Sequence, residues 1–234
     1  NPDKGFRFIT SSGGIKTSSL EKFATSYTKL QALKLKENEQ LIYVKLKDMN
    51  KEEKYNFRIK TKAGLEFTIE VPQLENSGRN ILTTQLFNIP PDDYIVNIEE
   101  CNGLEYFEFN IGINEKGIIK SYKSIKEDLL KTHTDSLSDV LFISNIGNIY
   151  KVPVFLMKNL ISEEMKIETF VGSLEKKEKI VSVISVKTYD EDKYIYFFSK
   201  KGLVKKTALK DFKGDYLKQS CYRLKSDDDE LVCA

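Results

Sequence analysis

Residues 196–212 read YFFSKKGLVKKTALKDF, and residues 7–23 read RFITSSGGIKTSSLEKF. Gly13, Lys16, Leu20 and Phe23 of one stretch recur in register as Gly202, Lys205, Leu209 and Phe212 of the other. The frame returns around three more glycines: FRIKTKAGLEFTIEVPQL at Gly64, FNIGINEKGIIKSYKSI at Gly117 and VLFISNIGNIYKVPVFLM at Gly147. Five copies define a repeat protein with a period of about 50 residues, interrupted by one step of about 30 between Gly117 and Gly147.

Every copy opens on a short β-rich run, passes through polar residues to glycine and continues as a second β-rich run, which is the pattern of a hairpin with glycine at a positive-φ position. Acidic or polar turns then precede another strand in LKENEQLIYV, FNIPPDDYIVNI, LEKKEKIVSV and LKSDDDELVCA. The expected fold is all-β, a propeller-like array of five four-stranded blades, because one blade cannot cover its own apolar faces. The repeats fall at about 5–50, 55–100, 105–138, 139–188 and 189–234, forming one domain over 1–234. In the short third repeat, YKSIKEDLLKTHTDSLSD stands in place of a long loop and outer strand, and Ile125, Leu129 and Leu130 suit one face of a short helix. Helical turns are expected within Lys123–Lys131 and Leu156–Met165. Leu20, Phe23, Leu209 and Phe212 are expected in the core.

Composition agrees with a folded β protein: 40% of residues are hydrophobic and 31% charged, with 14 Phe and 12 Tyr. Cys101, Cys221 and Cys233 form no CxxC pair, and His133 is the sole histidine, so neither a zinc site nor a disulfide framework is expected. A reducing cytoplasm fits that usage. No apolar run approaches the roughly 18 residues of a membrane span, and the start NPDKGF has the character of a cut rather than a signal peptide. His133 beside Asp135 lacks a nucleophile, Asp227, Asp228 and Asp229 read as a solvated acidic turn, and no phosphate-loop spacing occurs.

The net charge of +2 is uninformative, but its distribution is sorted. Lys200, Lys201, Lys205, Lys206, Lys210, Lys213, Lys218, Arg223 and Lys225 crowd the last repeat, whereas Phe87–Glu108 carries acids and no base. One edge facing a polyanion would produce such sorting.

FFSKKGLVKKTALKDF, the preceding KIVSVISVKTYDEDKYIYF and LFISNIGNIYKVPVF resemble blades of the C-terminal β-pinwheel of the A subunit of bacterial type IIA topoisomerases, gyrase and topoisomerase IV. The resemblance spans nearly the whole chain and is strongest over Asp139–Glu230. It implies a non-catalytic domain whose rim binds and bends duplex DNA. Cleavage would belong to the N-terminal part of the same polypeptide, which would be a partner along with an ATPase B subunit. No cofactor is implied. The gyrase box, of the form QRRGGKG, is absent, and its aligned place falls in the shortened third repeat. That favours a topoisomerase IV-like parent, or a gyrase-like one that has lost the box.

Phosphate neutralisation by lysine releases counterions without reading bases. The recurring candidates are Lys16, Lys205 and Lys206, Lys151 one step further along its hairpin, and Lys29 and Lys218 at equal distances after their glycines. Lys200, Lys201 and Arg223 join them by charge density. Each lysine also suits a solvated face or an edge strand protected from aggregation. Tyr27 and Tyr216 recur likewise, as phosphate neighbours or as packing aromatics. An interaction scaffold without DNA binding is the competing reading, since blades serve many functions.

Overall fold

A polar acceptor stands three residues before each of the five glycines: Thr10, Thr61, Asn114, Ser144 and Ser199. In the computed structural model, which describes residues 4–48, 55–123 and 130–234, each accepts from the N–H just past the glycine at 3.0–3.3 Å. The glycine N–H closes the turn onto the carbonyl of that same residue. Short polar side chains suit this place because their oxygen imitates a backbone carbonyl. The glycines adopt φ of +73 to +89°, open to glycine without steric cost.

Around these turns the repeats build antiparallel strands. The first contributes β1 (Lys4–Thr10), β2 (Gly14–Ser19) and β3 (Leu41–Asp48), and the second β4 (Tyr55–Thr61), β5 (Glu66–Val71), β6 (Thr84–Gln85) and β7 (Ile95–Cys101). The third contributes β8 (Glu108–Ile113), β9 (Ile118–Tyr122) and β10 (Leu130–Asp135). The fourth contributes β11 (Asp139–Ser144), β12 (Asn148–Pro153), β13 (Met165–Lys166) and β14 (Ile180–Val186). The fifth contributes β15 (Tyr194–Ser199), β16 (Val204–Ala208), β17 (Lys218–Ser220) and β18 (Leu231–Cys233). The first strand of each repeat is central, flanked by its hairpin partner and by the repeat's last strand.

The fourth strand of a sheet comes from a different repeat. β6, in the second repeat's connector, pairs with β2; β13 of the fourth repeat pairs with β9; and β17 of the fifth pairs with β12. Among the described residues, β5 and β16 have no donated strand in their sheets. This corrects the reading of the third repeat: its outer strand is present as β10, paired with β8. What the short repeat lacks is the long connector that would carry a donated strand. Residues 124–129, including Ile125 and Leu129, lie outside the described residues, while Leu130 and Lys131 open β10. The second helical expectation is met by a 3-10 helix at Val154–Ile161. Further 3-10 turns cover Leu20–Phe23 and Leu209–Phe212, and one α-helical turn, α1, covers Glu168–Val171.

The chain clusters into two compact units: Asn1–Ile89 with Asp93–Leu104, and Pro90–Asp92 with Glu105–Ala234. In the larger unit, Leu141 and Ile143 of β11 pack with Ile195 and Phe197 of β15, and Leu209, Phe212, Tyr222 and Leu231 complete the layer. Each such side chain contributes about 1.5–3 kcal/mol on burial. In the smaller unit the core holds Phe8, Ile9 and Ile15 from the first sheet and Phe57, Ile59 and Phe67 from the second. Leu20 and Phe23 are only half-buried, unlike Leu209 and Phe212, and Phe23 meets Phe6 edge-on at 5.3 Å. At the positions Leu141 and Ile143 hold in β11, β4 carries Arg58 and Lys60, both exposed. Lys60 pairs with Glu66 at 2.9 Å, so that face of the second sheet is finished for water.

The acidic turns tie outer strands to hairpins. Asp93 accepts from the Ala63 and Tyr94 N–H groups at 2.9 and 2.8 Å, and Asp229 from those of Lys201 and Glu230 at 3.1 and 3.0 Å. Glu178 accepts from Asn148 at 2.8 Å and Tyr150 at 3.0 Å. Asp229 is buried, which corrects the solvated turn expected there; Asp228 beside it pairs with Lys201. Glu39, also buried, accepts from Thr10 at 2.5 Å, from Ser12 and from the Lys36 N–H at 2.8 Å. Burial opposes ionisation of Glu39, but these bonds outweigh it and hold its pKa below the usual carboxylate range. A depressed folded pKa stabilises above the unfolded value of about 4.3, and that contribution is lost as pH falls through the folded pKa. Glu39→Gln is expected to cost about 1–3 kcal/mol at pH 7 and to flatten the acid limb of a stability–pH curve measured by urea unfolding. An unchanged limb would remove Glu39 from this role.

Candidate nucleic-acid interface

The recurring lysines differ in what holds their head groups. Lys16 is buried, 3% exposed, and its Nζ donates to the Ala32 carbonyl at 2.8 Å and to that of Arg79. Burial, aided by Lys22, lowers its pKa to about 8. Lys205 repeats the first contact: its Nζ donates to the Cys221 carbonyl at 2.8 Å, and Ala32 and Cys221 follow their lysines at the same distance. Both lysines pin their own repeat's connector to its hairpin. Lys151 Nζ donates to the Gly214 carbonyl, lies 3.5 Å from Asp139 and stands over the Tyr189 and Tyr216 rings.

A second group is ion-paired. Lys200 reaches Glu230 at 3.4 Å, Lys201 reaches Asp228, and Lys218 reaches Glu175 at 2.6 Å. Exposed pairs of this kind contribute only about 0–1 kcal/mol, so a phosphate competes with the carboxylate on similar terms. Among the described residues Lys29, Lys206 and Arg223 have no carboxylate partner, and all three are exposed. Lys206 rests on Tyr194, with Nζ 3.7 Å from the ring centre. Such a cation gains most from a phosphate because no ion pair is broken.

Lys200, Lys201, Lys205 and Lys206 lie on the β15–β16 hairpin, whereas Lys218 aligns opposite Tyr150 of β12, next to Lys151. Lys16 and Lys29 belong to the smaller unit. Tyr27 is 75% exposed; Tyr216 is half-buried and donates to the Phe212 carbonyl at 3.0 Å, so the two diverge despite equal spacing. His133 is exposed and contacts Asn110 at 3.2 Å. Among the described residues no group of acids, histidines and cysteines is placed to hold a metal, and all three cysteines are free. Among the described residues no helix is long and apolar enough to cross a membrane.

One feature escaped the charge-based reading. Tyr194, Tyr196 and Phe198 alternate along β15 and are exposed, with Val204 and Val232 beside them. The alternation in YIYFFS signals it, since both phases of that strand are apolar.

Comparison with known proteins follows the same repeats. The family described as DNA gyrase C-terminal domain, beta-propeller, matches residues 8–46, 138–155 and 193–214, which hold three of the hairpins. The DNA gyrase A protein of Helicobacter pylori strain J99 is 26% identical over 225 residues, covering 88% of this chain and 27% of that protein. In these hairpins the chain is similar to the C-terminal domain of DNA gyrase A subunits. The gyrase A protein of Clostridium acetobutylicum is 32% identical over 102 residues, 42% of this chain and 12% of that protein. A solved gyrase A C-terminal domain aligns over 99% of this chain and 65% of its own, at 17% identity and a TM-score of 0.35. A solved topoisomerase IV C-terminal domain aligns over 97% and 76%, at 18% and 0.34. The chain spans about a quarter or less of the length of these two curated relatives.

Lys16 supplies a contrast within the candidate set. Lys16→Met is expected to leave duplex affinity within about twofold of the parent and its salt slope unchanged, because a buried ammonium releases no counterion. A gel-shift salt titration checks this, and a slope lowered by about one would put Lys16 on the DNA path.

Proposed function

We propose that this chain is a non-catalytic domain that binds and bends duplex DNA within the A subunit of a bacterial, cytoplasmic, ATP-dependent type IIA topoisomerase. The observation that carries the reading is the repeat itself: the gyrase A family matches the hairpins bearing Lys16, Lys151, Lys205 and Lys206. Lys29, Lys206 and Arg223 are available for phosphates, and the ion-paired Lys200, Lys201 and Lys218 exchange carboxylate for phosphate. Bending a site of 20–30 bp by 40–90° costs on the order of 1–6 kcal/mol, which several such contacts offset. The partners are duplex DNA, the N-terminal remainder of the same polypeptide and, through it, the ATPase B subunit; cleavage belongs to that remainder, and this portion needs no cofactor. Between parents, the missing gyrase box favours topoisomerase IV, while the relatives described above are gyrase proteins.

Gel shifts with unrelated duplexes of a few tens of base pairs test the proposal. Affinities are expected to agree within a few-fold and to fall steeply with salt, since phosphate contacts carry no sequence information. Strong preference for one sequence would contradict it. The exposed Tyr194, Tyr196 and Phe198 favour a second reading, a scaffold for an apolar partner, for which random duplex would not bind at all.

A further inference from the structure

At the position that Leu141 occupies in β11, fully buried against the next sheet, β1 carries Arg7. Arg7 is 5% exposed, and among the described residues its Nε and Nη1 are buried without a hydrogen-bond partner. Its Cζ lies 4.3 Å from the centre of the Tyr55 ring, and Lys47 Nζ, itself buried, lies 3.6 Å from the same centre. The two charges therefore sit within one screening length, about 8 Å at physiological salt. Lys45, directly opposite Arg7 in the β1–β3 register, is half exposed at the margin.

Among the described residues one carboxylate answers these three cations. Glu100 of β7 takes Lys45 at 2.6 Å and Lys47 at 2.8 Å and also accepts from the Tyr43 hydroxyl. Those contacts, not Arg7, fill its oxygens. A buried guanidinium normally faces a carboxylate or phosphate fork to fork, and a buried charge without a partner is costly. The fold does not require charge here, because leucine fills the equivalent place in β11. Water would satisfy the two idle nitrogens but not the surplus positive charge.

We propose that this seam between the first and second sheets is an oxyanion site of the phosphate class, gripped by Arg7 with Lys47 and Lys45. A tetrahedral oxyanion supplies both acceptors for the guanidinium and charge for the lysines, and the half-exposed Lys45 marks its entrance. Inorganic phosphate and a nucleic-acid backbone phosphate present the same chemistry. The site does not depend on the DNA-binding reading, because free phosphate alone tests it.

Thermal unfolding of the full chain in rising inorganic phosphate is compared with sodium chloride at equal ionic strength. The parent is expected to show a saturable rise on the order of 5 °C at a hundredfold excess over Kd. Arg7→Leu, patterned on Leu141, is expected to lose the phosphate-specific rise; Arg7→Lys, which keeps the charge without the fork, is expected to retain part of it. Should the leucine variant fail to fold, the parent and the lysine variant still decide. Equal responses to phosphate and chloride in the parent, or a full phosphate response in Arg7→Leu, overturn the site. A duplex arm identifies the source: a salt slope lowered by about one in Arg7→Leu assigns a backbone phosphate, and an unchanged slope beside an intact phosphate response in the parent assigns the free anion.

Discussion

Gly147→Ala is expected to destabilise the larger compact unit by more than about 4 kcal/mol, a size reserved for a few kinds of substitution. Two costs combine. The residue has φ of +87°, where a Cβ costs roughly 1–2 kcal/mol, and that Cβ would stand 2.0 Å from the Tyr222 carbonyl oxygen. Neither chain segment is free to withdraw, because the Gly147 carbonyl accepts from the Cys221 and Tyr222 N–H groups at 2.9 and 3.1 Å. Gly202→Ala provides the contrast. Its turn is the same, with φ of +80°, but nothing lies within 4 Å of the added carbon, so only the conformational cost of about 1–2 kcal/mol applies.

The difference follows from strand donation. The fifth repeat's connector crosses Gly147, the second repeat's crosses Gly13 with Phe87 O at 3.2 Å, and the fourth repeat's crosses Gly117 with the Ile167 side chain at 3.3 Å. Urea unfolding at matched m values compares the two alanine variants. Equal losses would mean that the connector does not lie over Gly147 as described.

That crossing marks the limit of what the sequence discloses. Five glycine hairpins, their β character and the buried Leu209 and Phe212 were legible because turn chemistry and apolar alternation are local. The acceptors Thr10, Thr61, Asn114, Ser144 and Ser199 are equally legible, since each stands three residues before its glycine with a short polar side chain. β6, β13 and β17 were not legible, because two or three residues establish no period and their pairing spans repeats. The burial of Lys16 was not legible for a similar reason: its frame matches that of Lys205, but a second connector, bringing the Arg79 carbonyl, closes over Lys16.

The largest effect on DNA binding is expected from Lys29, Lys206 and Arg223 changed together to alanine. These are the candidates with exposed head groups and no carboxylate partner among the described residues, so each releases a counterion without first breaking an ion pair. At about 0.9 per phosphate, the slope of log K against log salt should fall by about 2.5 to 3, and affinity at 0.1 M salt should weaken on the order of 10²-fold. Stability should change little, within about 0.5 kcal/mol per exposed site, although Lys206 also forfeits its contact with Tyr194, of roughly 0.5–1 kcal/mol. Lys205 is left intact in this variant because its Nζ holds the Cys221 carbonyl, and its loss would mix packing with binding. The control is Asp92→Asn, in the acidic stretch. Asp92 is exposed at φ of +61°, a conformation asparagine tolerates, and its replacement should leave the salt slope untouched, whereas Asp93, which caps Ala63 and Tyr94, is unsuitable. A triple variant that binds duplex as tightly as the parent across the salt titration would take these residues off the DNA path. The binding energy would then have to come from Lys200, Lys201 and Lys218 exchanging their carboxylates for phosphates, and alanine at those three would have to flatten the slope instead.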